Sequence, residues 1–480
     1  MKRAAPILAG VLMFLLLAAL ARLVPLNQDE GWYLLAVRRV SQGLTPYTGF
    51  TFTQAPALPY LYQPVLPLIR AFGLYGARLF QALLLSLTAG IMLRALSPRR
   101  LADALPPLAL LLAPLYLQYG LTVKTYALTG FLLTAAAALW LRGPERKTLA
   151  ASAVLLALAS ATRLPFALLF LPLTLSLLLR RKSLGDRAWI TFAASGGAAL
   201  LLFFTPFLLR DPGAFFFQTL GFHAAREHSF PSAVHLGFML RALYTALPLL
   251  VATLFLRTPF GARPPEEKAL WVGIGLMTTV HFAAPHPYDE YLAPLYPLAV
   301  LLIVRAASRR ALPVSSLHRF ALLVLLFHLT SPYLHAWLPL QTDRIWNRTR
   351  RETDLDTLEY TARILQKFFD EEAVLYTPDS YLAIQADREV PRGLEMGPFS
   401  FSVREARPAL MDWPAIQAAL AQSDLAAFTG YQFIHSPQIV PFTPEEEARF
   451  RALLAEDFLH YTTVEGFGQG RLPLEIWVRQ

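Results

Sequence analysis

Residues 6–25 read PILAGVLMFLLLAALARLVP, with Lys2 and Arg3 standing before them. A helix needs about 20 apolar residues to cross the hydrocarbon of a bilayer. Ala19-Leu20-Ala21 has the small-x-small form of a leader cleavage site. The apolar run nonetheless exceeds the core of about 7–15 residues typical of a secretory leader, so it reads as a first span. Further apolar stretches follow at 74–96, 101–119, 121–141, 148–163, 165–180, 188–209, 233–256, 268–284, 290–305 and 317–339. With the first they predict about eleven membrane-spanning helices, several of them short or sharing a boundary.

The charges between these stretches give the topology. One set of loops holds Arg99 and Arg100; Arg142, Arg146 and Lys147; Arg180, Arg181, Lys182 and Arg187; Arg257, Arg263 and Lys268; and Arg305, Arg309 and Arg310. The short alternate loops are poor in basic residues, with Lys124, Arg163, Arg210 and Arg226 standing nearly alone. Basic residues concentrate in cytoplasmic loops, so the N-terminus is expected inside and, after an odd number of spans, residues 341–480 outside. The expected organisation is a transmembrane domain over 1–340, with long outer loops at 27–73 and 210–232, followed by an extracytoplasmic domain over 341–480.

Composition agrees. Of 480 residues, 55% are hydrophobic and only 16% charged, against about a quarter charged in a soluble domain. The net charge of +10 sits in topology-setting clusters rather than on a basic stripe of a soluble domain, which argues against nucleic acid as a partner. The chain has no cysteine, which excludes disulfides, thiolate metal sites and a cysteine nucleophile.

After residue 340 the pattern becomes that of a small α/β domain. Leu355, Leu358, Ile364, Leu365 and Phe368 recur at helical spacing behind Thr353 or Asp354 as cap. Ala373–Tyr376 reads as a short buried strand, Pro378-Asp379 as a turn, and residues near Pro444–Leu454 as a second helix. Strands are expected near Tyr461–Val464 and Leu474–Val478. No glycine-rich phosphate loop is present.

The outer loops hold the residues suited to chemistry. Loop 27–73 carries Asp29-Glu30-Gly31-Trp32-Tyr33, then Arg38-Arg39, Gly43, Pro46 and Tyr47, then Gln54-Ala55-Pro56 and Tyr60. Its aromatics suit a membrane interface, and the loop is expected to form amphipathic helices lying on the outer leaflet. Phe215-Phe216-Phe217 is expected to anchor the second loop in lipid. Asp29 and Glu30 by themselves could simply mark where water returns after a span.

The order Asp29, Glu30, Tyr33, Arg38, Arg39, Gly43, Pro46, Tyr47 resembles the first outer loop of the GT-C superfamily of membrane glycosyltransferases. The likeness is to the branch of protein O-mannosyltransferases, lipid A aminoarabinose transferases and rhizobial-type lipopolysaccharide core transferases. Ala159–Pro165 is similar to the family's segment at the outer end of its fifth and sixth spans, and His286-Pro287-Tyr288-Asp289-Glu290-Tyr291 to its tyrosine-proline start of a late span. Two departures stand out. Ala55-Pro56 replaces paired prolines, and Thr48-Gly49 stands where many members have a carboxylate, which puts a bound divalent metal ion in doubt.

The resemblance implies transfer of a sugar from a polyprenyl phosphate to an acceptor hydroxyl, on a glycan, a lipid or a protein, at the outer face. It implies Asp29 as the base, with Glu30 supporting it or binding the acceptor. Tyr33, Tyr47, Lys124, Arg163, Asp289 and Tyr291 would bind substrate, the two cations facing the departing phosphate. Other readings of these residues stand beside that one. A lysine at Lys124 can snorkel to the interface, Asp289-Glu290 can solvate a loop, and Arg163 in an apolar stretch needs an anionic partner of some kind. His223, His228, His235, His281 and His286 lack the spacing of a metal helix. A polytopic transporter or lipid flippase is the competing class, although no convincing internal repeat is visible and the candidate charges sit at the outer ends of spans.

Overall fold

A computed structural model describes residues 4–96, 104–224, 231–256, 259–310, 313–337, 340–344, 347–350, 352–401, 412–430 and 442–480. Arg99, Arg100, Arg226, His228 and Arg257 lie outside the described residues. The chain forms two compact units. A helical unit takes Met1–Leu20, Leu79–Pro206 and Phe230–Ala336, and a mixed unit takes Ala21–Arg78, Phe207–Ser229 and Trp337–Gln480. The chain therefore does not divide at residue 340: the two long loops fold with the C-terminal segment, because their apolar residues are buried there.

In the helical unit, every apolar stretch of the sequence is helical over most of its length. Among the described residues, four helices are long and apolar enough to cross a membrane: Gln63–Arg94, Asp186–Arg210, Ser232–Phe255 and Asp289–Ser308. Shorter apolar helices cover Ile7–Ala21, Leu164–Leu179 and Ser315–Leu329. Pro114–Leu121 and Thr125–Trp140 form a pair bent by 109°. Leu209 and Leu254 are 81% and 75% exposed, as lipid-facing side chains are; in water such surfaces would associate. The chain is a multi-pass membrane protein.

The charged loops segregate in this unit. The helix Thr125–Trp140 rises about 24 Å at 1.5 Å per residue. At its far end Trp140 Nε1 donates to the Glu266 carbonyl at 3.0 Å. Arg180 meets Glu266 at 2.6 Å, and Arg309 and Arg305 both pair with the buried Glu267. Three of the basic loops thus converge at that end, whereas Lys124 starts the same helix at the other.

The mixed unit carries a four-stranded sheet. Leu375–Tyr376 pairs in parallel with Leu425–Thr429, which lies antiparallel to Leu472–Arg479, itself antiparallel to Phe458–Phe467. Helix Asp354–Phe368 starts at Thr353 with a capping box to Asp356, and helix Pro444–Asp457 starts at Thr443 in the same way. Tyr376, Phe428, Phe450, Leu454 and Phe458 fill the core between sheet and helices.

Candidate functional site

In the mixed unit, Asn27 caps the helix Gln28–Ser41. Its side chain accepts the Asp29 N–H at 3.1 Å, and Glu30 accepts the Asn27 N–H at 3.1 Å. Asp29 and Glu30 therefore open a new helix rather than close the first one, and two carboxylates in a first turn suit the helix dipole. Successive residues point about 100° apart, and the two carboxylates meet different surroundings. Asp29 is half-buried, and the Trp32 indole N–H donates to its Oδ1 at 3.2 Å. Glu30 is wholly buried against Arg78, which donates to it at 2.8 and 2.6 Å and to the carbonyls of Ala21, Val24 and Pro25 at 2.8–3.0 Å.

The helix Gln28–Ser41 does not lie on a leaflet as expected. Its residues 30–37 are buried, and it packs on helix Ser380–Ala386 so closely that a Cβ on Gly31 would sit 2.1 Å from the Tyr381 nitrogen. Gln28 reaches the buried Asp379 carboxylate at 2.9 Å, which also takes hydrogen bonds from Tyr381, at 3.1 Å, and from the Thr429 N–H, at 2.9 Å. Arg38 and Arg39 tie the helix's last turn to Asp387 and Glu389 at 2.7 and 2.8 Å. The paired arginines of the motif fix the helix to the C-terminal segment.

Gly43, at φ 83°, ends this helix, with its N–H on the Val40 carbonyl and that of Leu44 on Arg39. Tyr47 adopts φ 74°, uncommon for a residue with a side chain. Its N–H bonds the Phe50 carbonyl, its carbonyl accepts from Gln218, and its phenol donates to the Gln54 carbonyl at 2.7 Å. Burial pushes that phenol's pKa up, so it stays a neutral donor. Phe207 and Phe215 flank the ring at 5.4 and 5.2 Å. Phe215 is thus a core residue rather than a lipid anchor, while Phe216 remains 52% exposed. Tyr33 is buried and stacked on Trp32 at 3.8 Å. His223 bonds the Thr53 carbonyl at 2.8 Å.

In the helical unit, the break between the bent helices falls at Thr122–Lys124, and Lys124 takes an extended conformation before Thr125 starts the next helix. Its ammonium is buried and meets Glu290 Oε1 at 3.0 Å, an oxygen that also accepts the Tyr126 hydroxyl at 2.7 Å. Arg163 ends helix Arg146–Thr162, with its guanidinium 4.9 Å from the Tyr126 ring centre and 4.7 Å from that of Tyr291. Both aromatic faces attract its charge. Asp289 is 1% exposed, accepts the Tyr333 hydroxyl and pairs with Arg241 at 3.3 Å. Asp289, buried, and Glu290, partly buried, are therefore ion-pair members rather than carboxylates that merely solvate a loop.

Lys124, Arg163 and the segment holding Asp289 and Tyr291, far apart in sequence, come together in this unit. Sequence reading missed Tyr126, Arg241, Tyr333 and Arg78 and gave Glu290 no partner. Only the break at Lys124 and the charges at Arg78 and Arg241 inside apolar stretches flagged them. Among the described residues no three histidines or carboxylates gather as metal ligands. Near Asp29, Glu30 is already satisfied by Arg78, so the donors present do not fit a divalent-ion site of the multi-carboxylate kind.

No family model matches the chain, and no curated protein matches it. Solved structures do. ArnT from Cupriavidus metallidurans, determined bound to undecaprenyl phosphate, matches 97% of this chain and 97% of its own with a TM-score of 0.63 and 15% identity. Arabinofuranosyltransferase AftD from mycobacteria matches all of this chain and 40% of its own at 18% identity, with a TM-score of 0.45. At 15% identity the likeness to ArnT is one of architecture, and it extends from end to end of both chains. The chain has the fold of ArnT from Cupriavidus metallidurans.

Proposed function

We propose that this protein is an integral membrane glycosyltransferase. It moves a sugar from a polyprenyl-phosphate donor to an acceptor hydroxyl at the outer face of the cytoplasmic membrane, with inversion at the anomeric carbon. The observation that carries this reading is the end-to-end fold match to a protein solved with undecaprenyl phosphate. The distribution of basic loops supports a cytoplasmic N-terminus and an extracytoplasmic C-terminal segment. The acceptor is a glycan, a lipid or a protein.

Asp29 is the base. Its carboxylate is only half-buried and is oriented by the Trp32 indole N–H at 3.2 Å. The acceptor oxygen bonds to the anomeric carbon as its proton passes to Asp29. The carbon–oxygen bond to phosphate breaks on the opposite side, its electron pair leaving with the polyprenyl phosphate. One displacement inverts the centre, unlike the two-step covalent route. Lys124 and Arg163 take the charge growing on the phosphate. Arg163 is suited to this because its guanidinium is flat, always charged and held against the rings of Tyr126 and Tyr291. Glu30, out of reach of solvent, positions the helix that carries Asp29.

The test is release of sugar from a panel of polyprenyl-phosphate sugars by the purified full chain in detergent, with membrane extract supplying acceptor. Asp29→Asn should lower turnover about 100- to 10,000-fold, the range of general-base assistance, with an unchanged unfolding midpoint. Lys124→Met should lose on the order of 100-fold or more. Equal turnover by wild type and Asp29→Asn would remove Asp29 as the base. Donor binding without sugar release in wild type, given acceptor, would overturn transfer itself in favour of transport.

A further inference from the structure

A cleft of about 600 Å³ opens within the mixed unit, between the last turns of helix Gln28–Ser41, the start of helix Leu66–Leu96 and helices Asp354–Phe368 and Ser380–Ala386. It is large enough for a sugar-sized ligand. Four arginines line it: Arg22, Arg38, Arg70 and Arg363.

The acidic residues of the wall are already engaged. Arg22 pairs with Glu359 and with Asp356 behind it, each at 3.0 Å. Arg38 pairs with Asp387 at 2.7 Å, and Glu389 is held by Arg39 at 2.8 Å. Burial lowers the Arg38 pKa, the carboxylates of Asp387 and Glu389 oppose that, and the charges of Arg39 and Arg70 add to it. Arg70 and Arg363 are exposed at the rim and have no carboxylate partner among the described residues. The cleft is thus built from neutralised pairs and topped by two uncommitted guanidinium groups.

Its shape is fixed. Gly73 passes in a left-handed conformation, with φ 58°, where a Cβ would strike the Gln385 amide at 2.2 Å, and that amide accepts the Leu74 N–H at 2.9 Å. Arg22 lies over the Tyr75 ring at 5.1 Å. Phe72, 54% exposed, stands beside Arg70 at the start of a helix long and apolar enough to cross a membrane. A basic rim with an apolar neighbour at such a helix start suits an anionic group carried at a lipid surface.

We propose that this cleft is a phosphate-binding site, in which Arg70 and Arg363 hold the phosphate of a phosphorylated sugar or of a lipid headgroup. Guanidinium groups match phosphate oxygens in paired hydrogen bonds. Nothing in this proposal requires sugar transfer, and its readout is binding alone, so its failure leaves the glycosyltransferase reading standing.

The test uses the full chain in nanodiscs of zwitterionic lipid, titrated calorimetrically with glucose 1-phosphate and, separately, with a short-chain phosphatidic acid. At least one probe should bind. The Arg70→Ala/Arg363→Ala pair should weaken it about tenfold, as loss of two charge-assisted contacts at an exposed rim implies, with an unchanged unfolding midpoint. Binding of the sugar phosphate alone would assign a soluble or glycan-borne phosphate, and binding of the phosphatidic acid alone a lipid headgroup. If the double variant unfolds early, each single alanine variant carries the same test with about a threefold effect. Failure of wild type to bind either probe, or equal binding by wild type and the alanine variants, would overturn the proposal.

Discussion

Arg78→Met tests what holds the Asp29 helix in place. Arg78 and Glu30 are both fully buried and joined at 2.6 and 2.8 Å, and Arg78 also serves the carbonyls of Ala21, Val24 and Pro25. Removing the arginine leaves a carboxylate with no counter-charge and three carbonyls short of a donor. Breaking one side of such a buried pair costs about 3–5 kcal/mol. Glu30→Gln alone also destabilises, since it leaves the guanidinium charge unmatched. In the Arg78→Met background, however, Glu30→Gln removes a buried unpaired charge, so its sign reverses and it regains about 1–3 kcal/mol. The assay is the thermal unfolding midpoint of wild type, the two single variants and the double variant in one detergent. The double variant should be more stable than Arg78→Met and less stable than wild type. Additive losses would refute the reasoning, because they would mean that the two groups do not meet. Turnover should follow stability in this series, since Glu30 acts on Asp29 through the helix.

Gly31→Ala should separate the helix Gln28–Ser41 from Ser380–Ala386. The new methyl would meet backbone and the Ser380 hydroxyl at 2.1–2.4 Å, so about 1–3 kcal/mol of overpacking is expected in the unfolding midpoint. Asp379→Asn should show a pH signature. Burial raises the Asp379 pKa above the ordinary carboxylate value despite donors from Thr429, Gln28 and Tyr381. A raised folded pKa means that stability is greatest with the acid protonated and falls as pH rises from the unfolded value through the folded one. The stability difference, wild type minus Asp379→Asn, should therefore shrink as pH climbs through that interval; a difference that grows with pH would contradict it.

The sequence by itself determined the local elements. Apolar stretches of helical length, with basic clusters in alternate loops, gave the helical segments, because a chain in lipid must satisfy its backbone internally. Thr353 announced its helix through its capping residues. The order of Asp29, Tyr33, Arg38, Gly43 and Tyr47 pointed to the fold that ArnT shares. What those residues touch was not legible. An aromatic loop reads the same whether it lies on lipid or in a core, and only the tertiary structure placed helix Gln28–Ser41 against Ser380–Ala386, more than 330 residues away. Asp29 and Glu30 are neighbours of like chemistry, and nothing local in the sequence told their surroundings apart. The structure divided them by sending one toward Trp32 and the other into Arg78. Likewise Lys124, Arg163 and Glu290 sit in three separate segments, and no local pattern pairs a lysine with a glutamate 166 residues on. Local structure follows from nearest neighbours along the chain, whereas the environment of a charge depends on which distant groups replace its water, and that only the folded packing decides.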